Sequence, residues 1–212
     1  DGDVDEDDLV IEAWKQLSVA RPGLLLILVP RRPERFDAAA RKLEAAGIGF
    51  TRRTALGSPS RVLLLDTIGE LNGLFRRATL VFMGGTVAER GGHNVLEPAA
   101  FATPVICGPH MENFAEIAAE FDAAGALARL DQSNLGHAIS SLLNDPDRLA
   151  RIGAASLSLA EAKRGATERS IQTLSAAYDA ALPRPVPPVA LVPLTWLWRA
   201  GMALDRAVKR LR

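Results

Sequence analysis

The stretch that most restricts the folds open to this chain is Val81 to His110, VFMGGTVAERGGHNVLEPAAFATPVICGPH. An apolar run ends on Gly84-Gly85, a short polar loop leads to Gly91-Gly92, a helical pattern follows, and the apolar run VIC closes on Gly108-Pro109-His110. Strand, loop, helix and strand in that order describe half of a parallel α/β unit. Glycine pairs at such a place allow a ligand or another strand to approach the backbone closely. A helix starting behind Gly92 would present unpaired N–H groups and partial positive charge, which suits a phosphate or carboxylate at Gly91 to Asn94. Such an end is worth only ~0.3–2 kcal/mol per charge, so further groups are needed. His93 and Glu97 lie four apart and share a helical face, where Glu97 can accept hydrogen bonds from a ribose diol. The same residues also fit an ordinary tight turn followed by an exposed glutamate.

The rest of the chain repeats the alternation. Leu24 to Val29 is continuously apolar and bounded by Pro22-Gly23 and Pro30, as expected of a strand buried on both faces. Pro33 opens a helix that Gly47 ends, and strands are expected at Ile48 to Thr54, Val62 to Asp66 and Gly125 to Leu130. Asp1 to Asp8 holds six acidic residues in eight and leads into a helix through Ala20, whose dipole they complement. Helices are expected over Asn134–Asn144, Asp147–Ala162 and Thr167–Ala181. The total is six strands and seven or eight helices in a three-layer α/β sandwich. The domain limits are 1–182 for this unit, 183–193 for a proline-rich linker and 194–212 for an amphipathic basic helix carrying Trp196 and Trp198. That tail suits either a membrane interface or a second domain.

Composition removes several function classes. The 25 basic and 25 acidic side chains cancel, which gives no global reason to bind nucleic acid. Cys107 is alone, so an intramolecular disulfide is excluded and a core position is expected. No apolar run approaches the ~18 residues of a membrane span, and no export signal is visible.

The run Asp66 to Phe121, together with VPRRPERF at Val29 to Phe36, closely resembles the C-terminal half of bacterial Kdo transferases, over roughly residues 6 to 180. Arg32 stands where that family usually has His. Asp3 and Asp5 stand at the His and Gly of its Thr-His-x-Gly-Glu segment. The resemblance implies a GT-B glycosyltransferase half, Rossmann-like, that binds CMP-Kdo, with transfer to a lipid A precursor through an N-terminal domain that also supplies the catalytic base. It places Ile68, Gly69 and Glu70 at the nucleotide base and Arg31 at the sugar acid. His110 and Asn113 fall near the donor, and Gly84, Gly85, Thr86, Gly91, Gly92, His93, Asn94 and Glu97 form the remaining donor-binding set. From the residues alone, Thr67 and Glu70 fit a helix cap equally well, and Arg31 a surface ion pair. Arg35 is expected to stabilise the helix that Pro33 opens. No cofactor or metal beyond the donor is implied, and the location implied is the cytoplasmic face of the bacterial inner membrane. The alternatives are a UDP-sugar transferase or epimerase of the same architecture, or a non-catalytic membrane-associated partner. The tail also faintly resembles the start of lipid A 4'-kinase.

Overall fold

The computed structural model describes residues 5–130 and 134–181, and the chain divides into two compact units between Lys163 and Arg164. In the first unit, α1 (Glu6–Ala20) precedes β1 (Leu26–Leu28), α2 (Phe36–Ala45), β2 (Thr51–Arg52) and β3 (Val62–Leu64). Then come α3 (Leu71–Phe75), β4 (Val81–Met83), α4 (Leu96–Ala99), β5 (Val105–Cys107), α5 (Ala115–Ala123), β6 (Ala128–Arg129) and α6 (Leu135–Leu143). The strands form two parallel three-stranded sheets, ordered β1-β3-β2 and β4-β5-β6. Leu26 to Leu28 stand opposite Val62 to Leu64, and Val81 to Met83 opposite Val105 to Cys107.

Side-chain alternation along β5 shows how the layers arise. Val105 and Cys107 point into a cluster with Val95, Ala99, Ala118 and Phe121, contributed by α4, α5 and their approach. Ile106, between them, points to the opposite face and packs with Ala13, Leu135, Leu142 and Ile152. Period-two alternation with apolar residues at every position requires cover on both sides, and the helices provide it. In the first sheet Leu28, Val62 and Leu64 share one face with Ile11 and Trp14 of α1 and Ala39, Ala40 and Leu43 of α2. Burying each large apolar side chain contributes roughly 1.5–3 kcal/mol. Cys107 and Phe121 are fully buried, as their patterns require.

Helix ends follow local chemistry. Asp5 caps α1 by accepting from the Asp7 N–H at 3.1 Å. The same carboxylate pairs with Arg35 and Lys42, while Asp7 pairs with Arg35 at 2.6 Å, so α1 is tied to the α2 region. Arg35 therefore joins two helices rather than steadying its own. Gly47 stops α2 with φ +69°, and Ile48 N–H reaches back to the Leu43 carbonyl at 3.0 Å.

Two expectations are corrected. The strands are shorter than the apolar runs, most clearly at Ile48 to Thr54, where only Thr51–Arg52 pairs. The helices expected at Asp147–Ala162 and Thr167–Ala181 are one helix, α7 (Pro146–Ala181). Gly165 reads as a break, but one interior glycine costs only about 1 kcal/mol, and no proline accompanies it. The proline-rich linker, the basic tail and its kinase-like segment lie outside the described residues.

Candidate functional site

Past the carboxyl ends of β1, β3, β4 and β5 lie Arg31, the Asp66–Glu70 loop, the Gly84–Ala88 turn and Gly108–His110, and contacts join three of the four: Arg31 meets His93, whose ring rests on Gly85, and the His110 N–H donates to the Thr86 carbonyl. The Gly84–Ala88 turn is the best-defined part of this rim. Its backbone curls so that consecutive N–H groups converge on the carboxylate of Glu6, the first residue of α1. Oε1 accepts from Thr86 at 2.9 Å, Val87 at 2.7 Å and Ala88 at 3.2 Å, while Oε2 accepts from Gly85. Such a concave run of N–H groups is an anion nest, and here the anion comes from the chain itself. Glu6 was not among the sequence-based site residues, because an acid in a first turn is accounted for by the helix dipole. The sequence does carry a signal for it, since Glu6 falls at the Glu of the Thr-His-x-Gly-Glu segment of the family that the chain resembles.

Thr86 holds the turn from inside. It is fully buried, its hydroxyl donates to the Met83 carbonyl at 2.6 Å, and it accepts from the Gly108 N–H at 2.8 Å. The expectation that Thr86 touches a donor is thus corrected for its side chain. The hydroxyl bridges the ends of β4 and β5 and has no path to a ligand.

The second glycine pair is locked to the first. Gly92 N–H donates to the Gly85 carbonyl at 2.8 Å and Asn113 N–H to the Gly91 carbonyl at 3.1 Å. Gly92 has φ +72°, and a Cβ there would approach the His110 carbonyl at 3.1 Å and meet the Met111 sulfur closer still. Only glycine fits both the conformation and the space. The helix expected directly behind this pair starts later: α4 begins at Leu96 and runs four residues, with Asn94 Oδ1 accepting from Leu96 N–H at 3.1 Å. Pro98 and the Asn94 turn shorten it, and so short a helix carries little dipole. The helix start expected at Gly91 to Asn94 is corrected accordingly. Glu97 is exposed in that single turn and lies 3.5 Å from the Asn94 amide, so its carboxylate faces the solvent side and not the core.

Arg31 and His93, 62 residues apart in sequence, meet at the rim, with the guanidinium 2.8 Å from Nδ1. A guanidinium has no acceptor, so Nδ1 accepts and the ring proton sits on Nε2. Nε2 lies 3.5 Å from where a Gly85 Cβ would be, so the ring rests on the glycine turn. Burial first, and then the Arg31 charge, push the His93 pKa below the ordinary value, against the opposing pull of Glu6 and Glu97. The ring is neutral near pH 7 and offers a donor, while exposed Arg31 offers a fixed positive charge.

The remaining sequence-based residues stand around this centre. Ile68 is 76% exposed, a large apolar side chain held out at the rim beside Gly69. Glu70 accepts from the Thr67 hydroxyl at 2.6 Å and from Arg53 Nε at 2.9 Å, which lower its pKa in that order. Thr67 therefore orients Glu70 and makes no cap to α3, correcting the cap reading. Asp66 fixes the same loop by accepting from the Thr54 N–H at 2.9 Å and from its hydroxyl at 2.5 Å. His110 is half-buried and pairs through Nδ1 with Glu112 at 3.0 Å, and the Asn113 amide donates to the Arg90 carbonyl at 3.1 Å. Among the described residues, no group of three or more His, Cys, Asp or Glu is arranged to hold a metal ion, and no helix is long and apolar enough to cross a membrane.

Parallel strands covered by helices on both faces, with glycine turns at their carboxyl ends, define the class as a Rossmann-like half of a GT-B glycosyltransferase fold. The chain belongs to the glycosyl transferases group 1 family, which it matches over residues 7–158. Among curated proteins it is 40% identical over 178 residues to the 3-deoxy-D-manno-octulosonic acid transferase of Bordetella pertussis, covering 80% of this chain and 41% of that protein. With the enzyme of the same name from Haemophilus influenzae it shares 35% identity over 174 residues, 80% of this chain and 41% of that protein. The chain thus spans about two fifths of the length of these relatives. Among solved structures it is similar to the C-terminal CMP-Kdo binding domain of WaaA from Acinetobacter baumannii, with TM-score 0.65 and 28% identity over 71% of this chain and 81% of that one.

Proposed function

We propose that these residues form the donor-binding domain of a glycosyltransferase that takes Kdo from CMP-Kdo and places it on a lipid A precursor in lipopolysaccharide biosynthesis. The observation that carries the reading is the Arg31–His93 pair on the Gly85 turn, in a chain similar to a solved CMP-Kdo binding domain. CMP-Kdo brings two anionic groups together, a phosphodiester and a sugar carboxylate. Arg31 has the fork geometry to grip either oxyanion, and a neutral His93 donates through Nε2 without adding a second charge. Glu97 accepts from the ribose diol. Ile68 packs against the base, while the Gly69–Glu70 backbone reads its edge. His110 and Asn113 complete the sugar side.

Transfer is an inverting displacement in which an acceptor oxygen bonds the anomeric carbon as the bond to phosphate breaks and CMP leaves with its electron pair. Charge grows on the departing phosphate, and fixed donors at that point lower the barrier. The catalytic base and the lipid surface belong to an acceptor domain paired with this one, so the 212-residue chain binds CMP and transfers nothing alone. No metal or other cofactor is required. The site of action is the cytoplasmic face of the inner membrane.

Calorimetry with CMP and UMP tests the reading. CMP binding with UMP at least about tenfold weaker, a difference of ~1.4 kcal/mol, supports it. Preference for UMP points to a UDP-sugar enzyme of the same architecture, and vesicle binding without any nucleotide affinity points to a non-catalytic membrane partner.

A further inference from the structure

We infer that Glu6 is a positioning residue whose carboxylate acts as a built-in anion, folding the Gly84–Ala88 turn and thereby setting the Arg31–His93 pair for the donor's own anionic groups. The clause about the donor rests on the function proposed above; the clause about the turn stands on geometry alone.

Four backbone donors in a row, from Gly85 to Ala88, converge on one side chain about 80 residues away in sequence. Hydrogen bonds to a charged acceptor are stronger than those between neutral groups, and four N–H groups aimed at one point repel each other when nothing fills it. The turn's outward connections make its shape matter elsewhere. The Gly85 carbonyl accepts from Gly92 at 2.8 Å, the Thr86 carbonyl accepts from His110 at 2.9 Å, and the His93 ring lies on Gly85. One carboxylate thus fixes both glycine turns, the His110 end of the Gly108–His110 segment and the histidine that faces Arg31.

The same geometry decides where a donor's charge goes. Glycine-lined backbone after a strand is the usual place for phosphate, but here the nest is already neutralised. A second anion directed at it would meet the Glu6 charge. The phosphate and sugar acid are therefore directed to Arg31 and His93, a few ångströms along the rim. Glu6 defines the anion-binding part of the site by closing the neighbouring part.

Three measurements on the 212-residue chain test this. In the wild type, the Gly85, Thr86, Val87 and Ala88 amides are protected from solvent exchange by their shared acceptor; four amides that exchange as fast as exposed loop N–H groups overturn the proposal even if no variant folds. Glu6→Gln keeps the shape but puts an NH2 against N–H donors, and Glu6→Ala empties the nest. Both are expected to weaken CMP about tenfold or more and to speed exchange of the four amides. In Glu6→Gln the His93 ring also protonates at lower pH, because a negative charge favouring the imidazolium is gone while Arg31 and Glu97 remain. Acetate added to Glu6→Ala restores amide protection and CMP affinity together. Folded variants that bind CMP as well as the wild type, or more tightly, overturn the inference and make Glu6 a plug or a bystander. If the wild type ignores CMP while the amides, His93 and acetate behave as stated, the proposed donor is wrong and the carboxylate's role in folding the turn stands.

Discussion

Thr86→Val is the substitution whose cost can be worked most closely. Valine matches threonine in shape and removes only the hydroxyl, which is fully buried between the Met83 carbonyl and the Gly108 N–H at 2.6 and 2.8 Å. Two net hydrogen bonds of about 1 kcal/mol each are lost, and a buried N–H at Gly108 is left without a partner at about 1–3 kcal/mol. The total lies at roughly 2–4 kcal/mol after partial relaxation. Thr86→Ser keeps both bonds and loses one methyl, worth about 1 kcal/mol. The two substitutions therefore fall in opposite order under the two possible reasons for the residue. If the hydroxyl matters, Val costs more than Ser; if packing matters, Ser costs more. Native-state hydrogen exchange at Phe82 and Ile106, in the two strands that Thr86 joins, reads the opening free energy where the effect acts. A Val cost below about 1 kcal/mol, or a Ser cost above that of Val, refutes the argument. Because the Thr86 carbonyl also holds the His110 N–H at 2.9 Å, CMP affinity should fall with Val and be kept with Ser.

Other outcomes follow from the same contacts. Gly92→Ala has to strain a backbone at φ +72° and push against the Met111 sulfur and the His110 carbonyl, while Gly47→Ala at φ +69° meets open space. Urea unfolding should show about 1–2 kcal/mol for Gly47 and clearly more for Gly92. Glu97→Ala should weaken CMP about tenfold and leave 2',3'-dideoxy-CMP unchanged, since the interaction needs both partners; equal losses for the two ligands contradict the ribose role. For Asp66, burial alone would raise the pKa, but the Thr54 hydroxyl and N–H, then Arg52, more than reverse it, so the folded value is depressed. Its contribution is present above the unfolded carboxylate value of ~3.9 and lost as pH falls through the folded one. Asp66→Asn should therefore be less stable than wild type at pH 7, and the gap should close below about pH 4, as measured by urea midpoints at both pH values.

Much of this architecture was legible because the apolar runs are short and strongly bounded. Leu24–Val29 between Pro-Gly and Pro, and VIC before Gly-Pro, left little choice but buried parallel strands. Gly47 marked its helix end because a Schellman turn needs that conformation. Helix continuity through Gly165 was not legible, since one glycine changes the local free energy by less than tertiary packing does. Neither was the length of α4: His93, Asn94 and Glu97 read as a first turn by spacing, yet Asn94 bends the chain into its own turn before Leu96. Pattern reading assumed that the helix starts where the glycines stop. Backbone hydrogen bonds from Gly92 to Gly85 and from Asn113 to Gly91 show that the glycines belong to a lattice of turns instead.

The residues that sequence reading passed over, or in the case of Thr86 placed against the donor, share a physical character. Glu6, Asp66 and Thr86 act through bonds to backbone N–H and carbonyl groups far along the chain, and such bonds leave no periodicity. A ligand-facing group can be guessed from chemistry near a turn, whereas a group that holds the turn depends on a partner whose position only the fold supplies. The two kinds also answer differently to substitution. Under the proposed function, removing Arg31 or Glu97 should take away a contact with the donor and leave the protein standing, while removing Glu6 or Thr86 should alter the rim before any donor arrives. A rim whose glycines are shaped by an internal carboxylate and a buried hydroxyl is formed in advance, so little binding energy goes to ordering it. Such a rim should change little between free and CMP-bound chains, and the side chains of Arg31, Ile68 and Glu97, exposed and few-partnered beside Glu6, are where any adjustment is concentrated.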